Sequence, residues 1–126
     1  MITALLGFVM NGCIFVLDYE PYYDDIPHIV DAGWECIDNE ERSADDWRFW
    51  AIADDGDGYE DLYYLLIHIT SLIDVQNTKD FVHNNHTNGY FFMERTYYNP
   101  TCGEPVDIEY IIIDFDNNSE SYTVYW

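Results

Sequence analysis

The chain has 126 residues, 48% hydrophobic and 18% aromatic, with a formal net charge of −21 from 25 acidic and only four basic residues. That hydrophobic content excludes a disordered acidic tail, which combines low hydrophobicity with high charge, and the length suits one domain over residues 1–126 with its own core. The scarcity of Lys and Arg excludes direct nucleic-acid binding, since too few cations exist to displace counterions from phosphates.

Residues 1–17 carry no charged side chain. No Lys or Arg opens this segment, no small-residue cleavage site follows it, and Asn11-Gly12 interrupts it, so neither a secretory leader nor a membrane span is expected. Ile2 to Met10 and Cys13 to Tyr19 are instead predicted to form a β-hairpin, because Asn-Gly tolerates the positive φ of a type I′ turn. Cys13, Cys36 and Cys102 are an odd, widely spaced set, which predicts free thiols in a reducing compartment and a cytoplasmic location.

Tyr22 and Tyr23 lie in a loop among Asp18, Glu20, Asp24 and Asp25. Asp25 is placed as the cap of a short helix, with Pro27 in its first turn and Gly33 past its end. Trp34 to Ile37 then reads as a short strand. From Asp38 to Asp61 the chain carries ten carboxylates against Arg42 and Arg48, around an aromatic knot of Trp47, Phe49 and Trp50. Such a segment predicts a folded surface that displays carboxylates from an aromatic base. Within it, Trp47 to Ala53 leans to strand on its aromatics, and Asp54-Asp55-Gly56-Asp57-Gly58 is a turn.

Leu62, Leu65, Leu66, Ile69, Leu72 and Ile73 recur at helical spacing and predict a principal helix over 59–74. Thr78 to His83 is expected to add a helical turn, and Asn84 to Gly89 a loop. Tyr90 to Tyr98, Val106 to Phe115 and Ser121 to Trp126 read as strands, with Asp116-Asn117-Asn118 turning the last pair into a hairpin. The expected fold is α+β: an antiparallel sheet of N-terminal hairpin and C-terminal strands, packed with the 59–74 helix.

Known chemical signatures are mostly broken. Read as an EF-hand, the DDGDG turn puts Asp55 and Asp57 at ligand positions but Ala53 and Tyr64 where acids are required. His83, His86 and Cys102 lack a fourth ligand for zinc. His68 falls outside the apolar stripe of the expected helix and reads as a half-exposed surface residue. No nucleophile elbow or phosphate-binding loop is present, and with 25 carboxylates a close acid pair carries no catalytic information. No enzyme activity, cofactor or specific metal site is expected.

The charge has another use. A compact chain of this length is roughly 36 Å across, so its net charge spread over one diameter approaches the ~1.7 Å spacing of charges along duplex DNA. In size, acidity, aromatic-rich core and lack of a catalytic motif the chain resembles the small acidic DNA-mimic inhibitors of phages and mobile elements, which include anti-restriction, anti-CRISPR and uracil-glycosylase inhibitor proteins. The resemblance implies a basic nuclease, CRISPR effector or restriction effector as partner, met in the host cytoplasm if the protein is phage-encoded. The partner-binding residues it implies here are Asp38, Glu40, Glu41, Asp45, Asp46, Asp54, Asp55, Asp57, Glu60 and Asp61, helped by Asp24 and Asp25. An antitoxin- or chaperone-like shield of a basic protein and a weak cation-binding protein are the alternatives. Monomer and dimer are both compatible with the sequence.

Overall fold

A computed structural model describes residues 26–39, 41 and 43–126. The expected N-terminal hairpin, the Tyr22-Tyr23 loop and Cys13 lie outside these residues. The described chain forms seven strands: β1 His28–Ile37, β2 Asp45–Asp54, β3 Leu62–Ser71, β4 Thr78–His83, β5 Tyr90–Tyr97, β6 Val106–Asp114 and β7 Ser119–Val124. Its one helical piece is a 3-10 turn, Tyr59–Asp61. The strands make two antiparallel sheets, ordered β1-β2-β5 and β4-β3-β6-β7.

These sheets face each other across one core. Alternation along each strand sends Trp47, Phe49, Ala51 and Ala53 of β2, Leu65, Ile67 and Ile69 of β3, and Ile108, Tyr110 and Ile112 of β6 inward, all essentially fully buried. Phe91 and Met93 of β5 complete the packing. The Tyr110 hydroxyl crosses between sheets and donates to the Gly33 carbonyl on β1. Its burial raises the phenol pKa and keeps the hydroxyl protonated as a donor. An aromatic chain runs from the exposed Trp126 over half-buried Trp34 to the buried Trp47 and Phe49 and on to half-buried Phe81, with centroid spacings of 5.2 to 6.2 Å.

The expected α+β class is therefore wrong, and the fold is a β-sandwich. The predicted helix over 59–74 is β3, entered through the 3-10 turn. Leu65, Ile67, Ile69 and Ser71 point inward at a period of two, and Leu66, His68 and Thr70 point outward. Leu72 and Ile73, counted toward the helical stripe, lie exposed beyond the strand. Thr78 to His83 is strand rather than helical turn.

The short helix expected around Pro27 and Gly33 is absent as well, because that segment enters β1. A register shift between Ile29 and Asp31 restores the inward direction of Ala32. Gly33 is required for packing: a Cβ there would meet the Trp50 ring at 2.5 Å, so the bare backbone lets that ring lie across β1. The strands expected at Trp47 to Ala53, Tyr90 to Tyr98, Val106 to Phe115 and Ser121 to Trp126 are present within two residues at their ends, whereas Trp34 to Ile37 is only the last part of a β1 that begins six residues earlier, at His28.

Cys36 and Cys102 form a disulfide, against the expectation of free thiols. Opposite Cys36 on β2 stands Trp47, so the bond closes one end of the core. With 66 residues of separation, loop closure in the unfolded chain alone makes such a bond worth about 4 kcal/mol. The bond also removes Cys102 from the histidine set considered for zinc. His83 and His86 pack instead around Phe91, at 5.9 and 4.9 Å.

Candidate functional site: the acidic poles of strand β2

The acid-rich stretch does not form one face. Its aromatic base is present, since Trp47 and Phe49 are fully buried on β2. But β2 is ten residues long, so it holds the acids before it and after it about 30 Å apart. At the first pole, Asp38 and Glu41 are exposed in the β1–β2 connection. Asp45 there is buried, accepting the Asn39 amide at 3.2 Å and the Cys102 amide at 2.7 Å, so it ties the connection to the disulfide loop. Asp46 accepts the Thr96 hydroxyl at 2.7 Å on the outer face. Asp24, Asp25 and Glu40 lie outside the described residues.

Between the poles, Arg48 is held by Glu35 at 3.0 Å and Glu94 at 2.7 Å, which raise its pKa further. The other two described cations are also engaged: Lys79 lies 5.9 Å over the Tyr97 ring and Arg95 5.2 Å over Phe81. His68, half-exposed as expected, is bonded to Asp80 on β4.

At the second pole, Asp54, Asp57 and Glu60 are exposed, Asp61 is half-buried, and Asp55 is only 7% exposed. The β2–β3 turn is tight. The Gly58 amide donates to the Asp55 carbonyl at 2.8 Å, the Asp57 amide to the Asp55 carboxylate at 2.9 Å, and Gly58 takes a φ of 104° that disfavours side-chain-bearing residues.

Sequence reasoning missed the partners of this turn, Asp114 and Asp116. The Phe115 amide donates to the Asp61 carbonyl at 3.0 Å, and Leu62 pairs with Asp114 in the β3–β6 ladder, so the β6–β7 turn is fastened onto the DDGDG turn. Asp114 is 1% exposed and caps its own hairpin, accepting the amides of Asp116 and Asn118 at 2.9 and 2.8 Å. Carboxylate oxygens of Asp55, Asp61 and Asp114 lie within 4.8 Å of one another, as do those of Asp57, Asp61 and Asp116. The Oδ2 atoms of Asp55 and Asp61 are buried with no hydrogen-bond partner.

Crowding sets the electrostatics. Burial, followed by the charges of Asp55, Asp116, Asp114 and Asp57, pushes the Asp61 carboxyl up to about 6. Burial is also the main reason the Asp55 pKa is raised, with Asp114 and Asp57 adding to it. Asp55 opens onto a surface cleft lined by Ile26, His28, Asp54 and Tyr59.

This arrangement presents negative potential at two poles and gathers oxygen ligands at one of them. No nucleophile and base come together among these residues. None of the protein-family models, curated proteins or solved structures compared with this chain matches it.

Proposed function

We propose that this chain is a non-enzymatic binding protein that occupies the nucleic-acid site of a strongly basic partner, acting as a nucleic-acid mimic. One observation carries the reading: a net charge of −21 on a folded domain whose three described cations are already engaged. An uncompensated field of that size raises association rates with a basic cleft and rejects acidic partners. The ~30 Å between the poles of β2 is close to the ~34 Å of one duplex turn, so two basic patches built for DNA can meet Asp38, Glu41 and Asp46 at one pole and Asp54 and Glu60 at the other.

The location bears on the partner. The cysteine count suggested the cytoplasm, but disulfides persist mainly in oxidising compartments, and Cys36–Cys102 favours such a place. No helix among the described residues is long and apolar enough to cross a membrane. A secreted or periplasmic nuclease satisfies both charge and disulfide. A CRISPR or restriction effector instead requires a bond that survives in the cytoplasm.

The test is inhibition of a panel of basic nucleases and of CRISPR and restriction effectors. Reversing Asp38, Glu41, Asp46, Asp54 and Glu60 to Lys is expected to cut the association rate at least about tenfold at low salt, and less at high salt. The same reversal at Asp107 and Glu109, on the outer face of β6, is expected to cost less for each charge reversed. Equal losses per reversed charge from the two sets would show that only net charge matters. A target that is bound without losing its nucleic acid would identify a shield, and no inhibition across the panel would end the proposal.

A further inference from the structure

We propose that the junction of the β2–β3 and β6–β7 turns is a binding site for a hard divalent cation of the calcium class. Asp55, Asp61 and Asp114 are its inner ligands, and Asp57 and Asp116 lie at its outer side. The inference is independent of the partner-binding proposal.

Two buried oxygens motivate it. Asp55 is 7% exposed, and its Oδ2 has no donor; the Oδ2 of Asp61 is likewise buried and without one. A buried polar atom without a partner is costly and calls for a specific explanation. Turn formation explains the other oxygen of Asp55, which accepts the Asp57 amide, and the carboxylate of Asp114, which accepts from Asn118 and Asp116. It leaves the two Oδ2 atoms with no donor beyond a proton shared between the Asp55 and Asp61 carboxyls themselves. No described lysine or arginine is available to them, because all three are engaged elsewhere.

The donor set then selects the ion. All five side chains offer oxygen and none offers nitrogen or sulfur, which suits calcium, magnesium or manganese rather than zinc or copper. Calcium takes about six to eight oxygens at ~2.4 Å in irregular geometry, whereas magnesium demands a near-ideal octahedron. Two oxygens at ~2.4 Å from one ion lie at most ~4.8 Å apart, and the carboxylates of Asp55, Asp61 and Asp114 fall within 4.8 Å of one another. Ligands fixed on two turns that are already hydrogen-bonded together favour calcium's tolerance of irregular shells. A surface cleft borders the junction at Asp55.

The experiment uses the full chain, treated with chelator and then titrated with calcium chloride. Magnesium chloride and sodium chloride of matched ionic strength run in parallel. Calcium is expected to bind at a saturable site by calorimetry and to raise Tm by roughly 8 °C at a hundredfold excess over Kd. Sodium chloride of equal ionic strength should not reproduce the rise. Asp61→Asn and Asp57→Asn should each weaken binding at least about tenfold, and Glu109→Gln on the outer face of β6 should leave it unchanged. A calcium shift no larger than that of sodium chloride would overturn the proposal, because a proton shared between Asp55 and Asp61 would then satisfy the buried oxygens. So would calcium binding undiminished in Asp61→Asn and Asp57→Asn, which marks a diffuse counterion cloud. If either variant fails to fold, calorimetry on the unaltered chain decides: a saturable site supports the proposal, and non-saturating uptake overturns it.

Discussion

At the scale of single residues, Asp61 shows how crowding becomes a pH dependence. Its folded pKa of about 6 lies above the ordinary carboxyl value of 3.8. A carboxyl of this kind holds its proton more tightly in the folded state than in the unfolded one. The stability it contributes is therefore present at low pH and is lost as pH rises from about 4 to about 6. Asp55 is displaced in the same direction, and His83 in the opposite sense: burial, then Arg95 and His86, lower its pKa, so stability is lost as pH falls below 6.5. Asp61→Asn removes one of these titrations and leaves the others in place. In chelator, the variant is expected to melt roughly 2–4 °C above the unaltered chain at pH 7, a small effect because Asp61 is partly open to water. The gap should close as pH approaches 4. A gap constant with pH, measured by thermal unfolding, would mean the crowding at Asp61 is relieved by other means.

At the scale of elements, β3 is where sequence and structure part. Leu62, Leu65, Leu66 and Ile69 fit a helical stripe, and Leu65, Ile67, Ile69 and Ser71 fit a strand. Both periods are present because the outer face of β3 is also partly apolar, carrying Tyr64 and Leu66. The β-branched Ile67, Ile69 and Thr70 were the arbitrating signal, and they favour strand. On the helical reading Leu65 and Leu66 are buried alike. In the sandwich Leu65 is 1% exposed and Leu66 faces outward. Leu65→Ala is thus expected to cost about 2–5 kcal/mol and Leu66→Ala less than about 1 kcal/mol, by urea unfolding. Equal costs would contradict the strand. The C-terminal strands were legible because Val106 to Asp114 alternates around β-branched residues and ends in an Asp/Asn turn. The acidic junction was legible only by half. DDGDG declares a turn, but Asp114 and Asp116 join it through the β3–β6 ladder, a pairing that no local spacing encodes. A linear calcium-loop test consequently fails on a site assembled from two turns.

At the scale of the whole molecule, the same separation of sequence from space governs the charge and the covalent frame. The carboxylates crowd into one stretch of the chain, Asp38 to Asp61, yet β2 carries them to opposite poles. Asp45 and one carboxylate oxygen of Asp55 hold turns while Asp38, Glu41, Asp54 and Glu60 stay exposed. Cysteine counting failed for a related reason: an odd total does not forbid a pair, and β1 and the β5–β6 loop bring Cys36 and Cys102 together from 66 residues apart. That bond makes β2, β3, β4 and β5 parts of a covalent ring, with most of β1 and all of β6 and β7 attached as tails. Under tension applied at the chain ends, the load passes from Cys36 directly to Cys102. Stretching the oxidised molecule can peel β6 and β7 away and straighten the tails, but it cannot lengthen the ring. Reduction should release a further contour length of about 230 Å, taking ~3.5 Å for each residue of that separation. Single-molecule force spectroscopy with and without reductant would register the step, and equal contour lengths in the two conditions would mean the ring is not closed. The protein is, mechanically, a short tether with a knot of slack locked inside it.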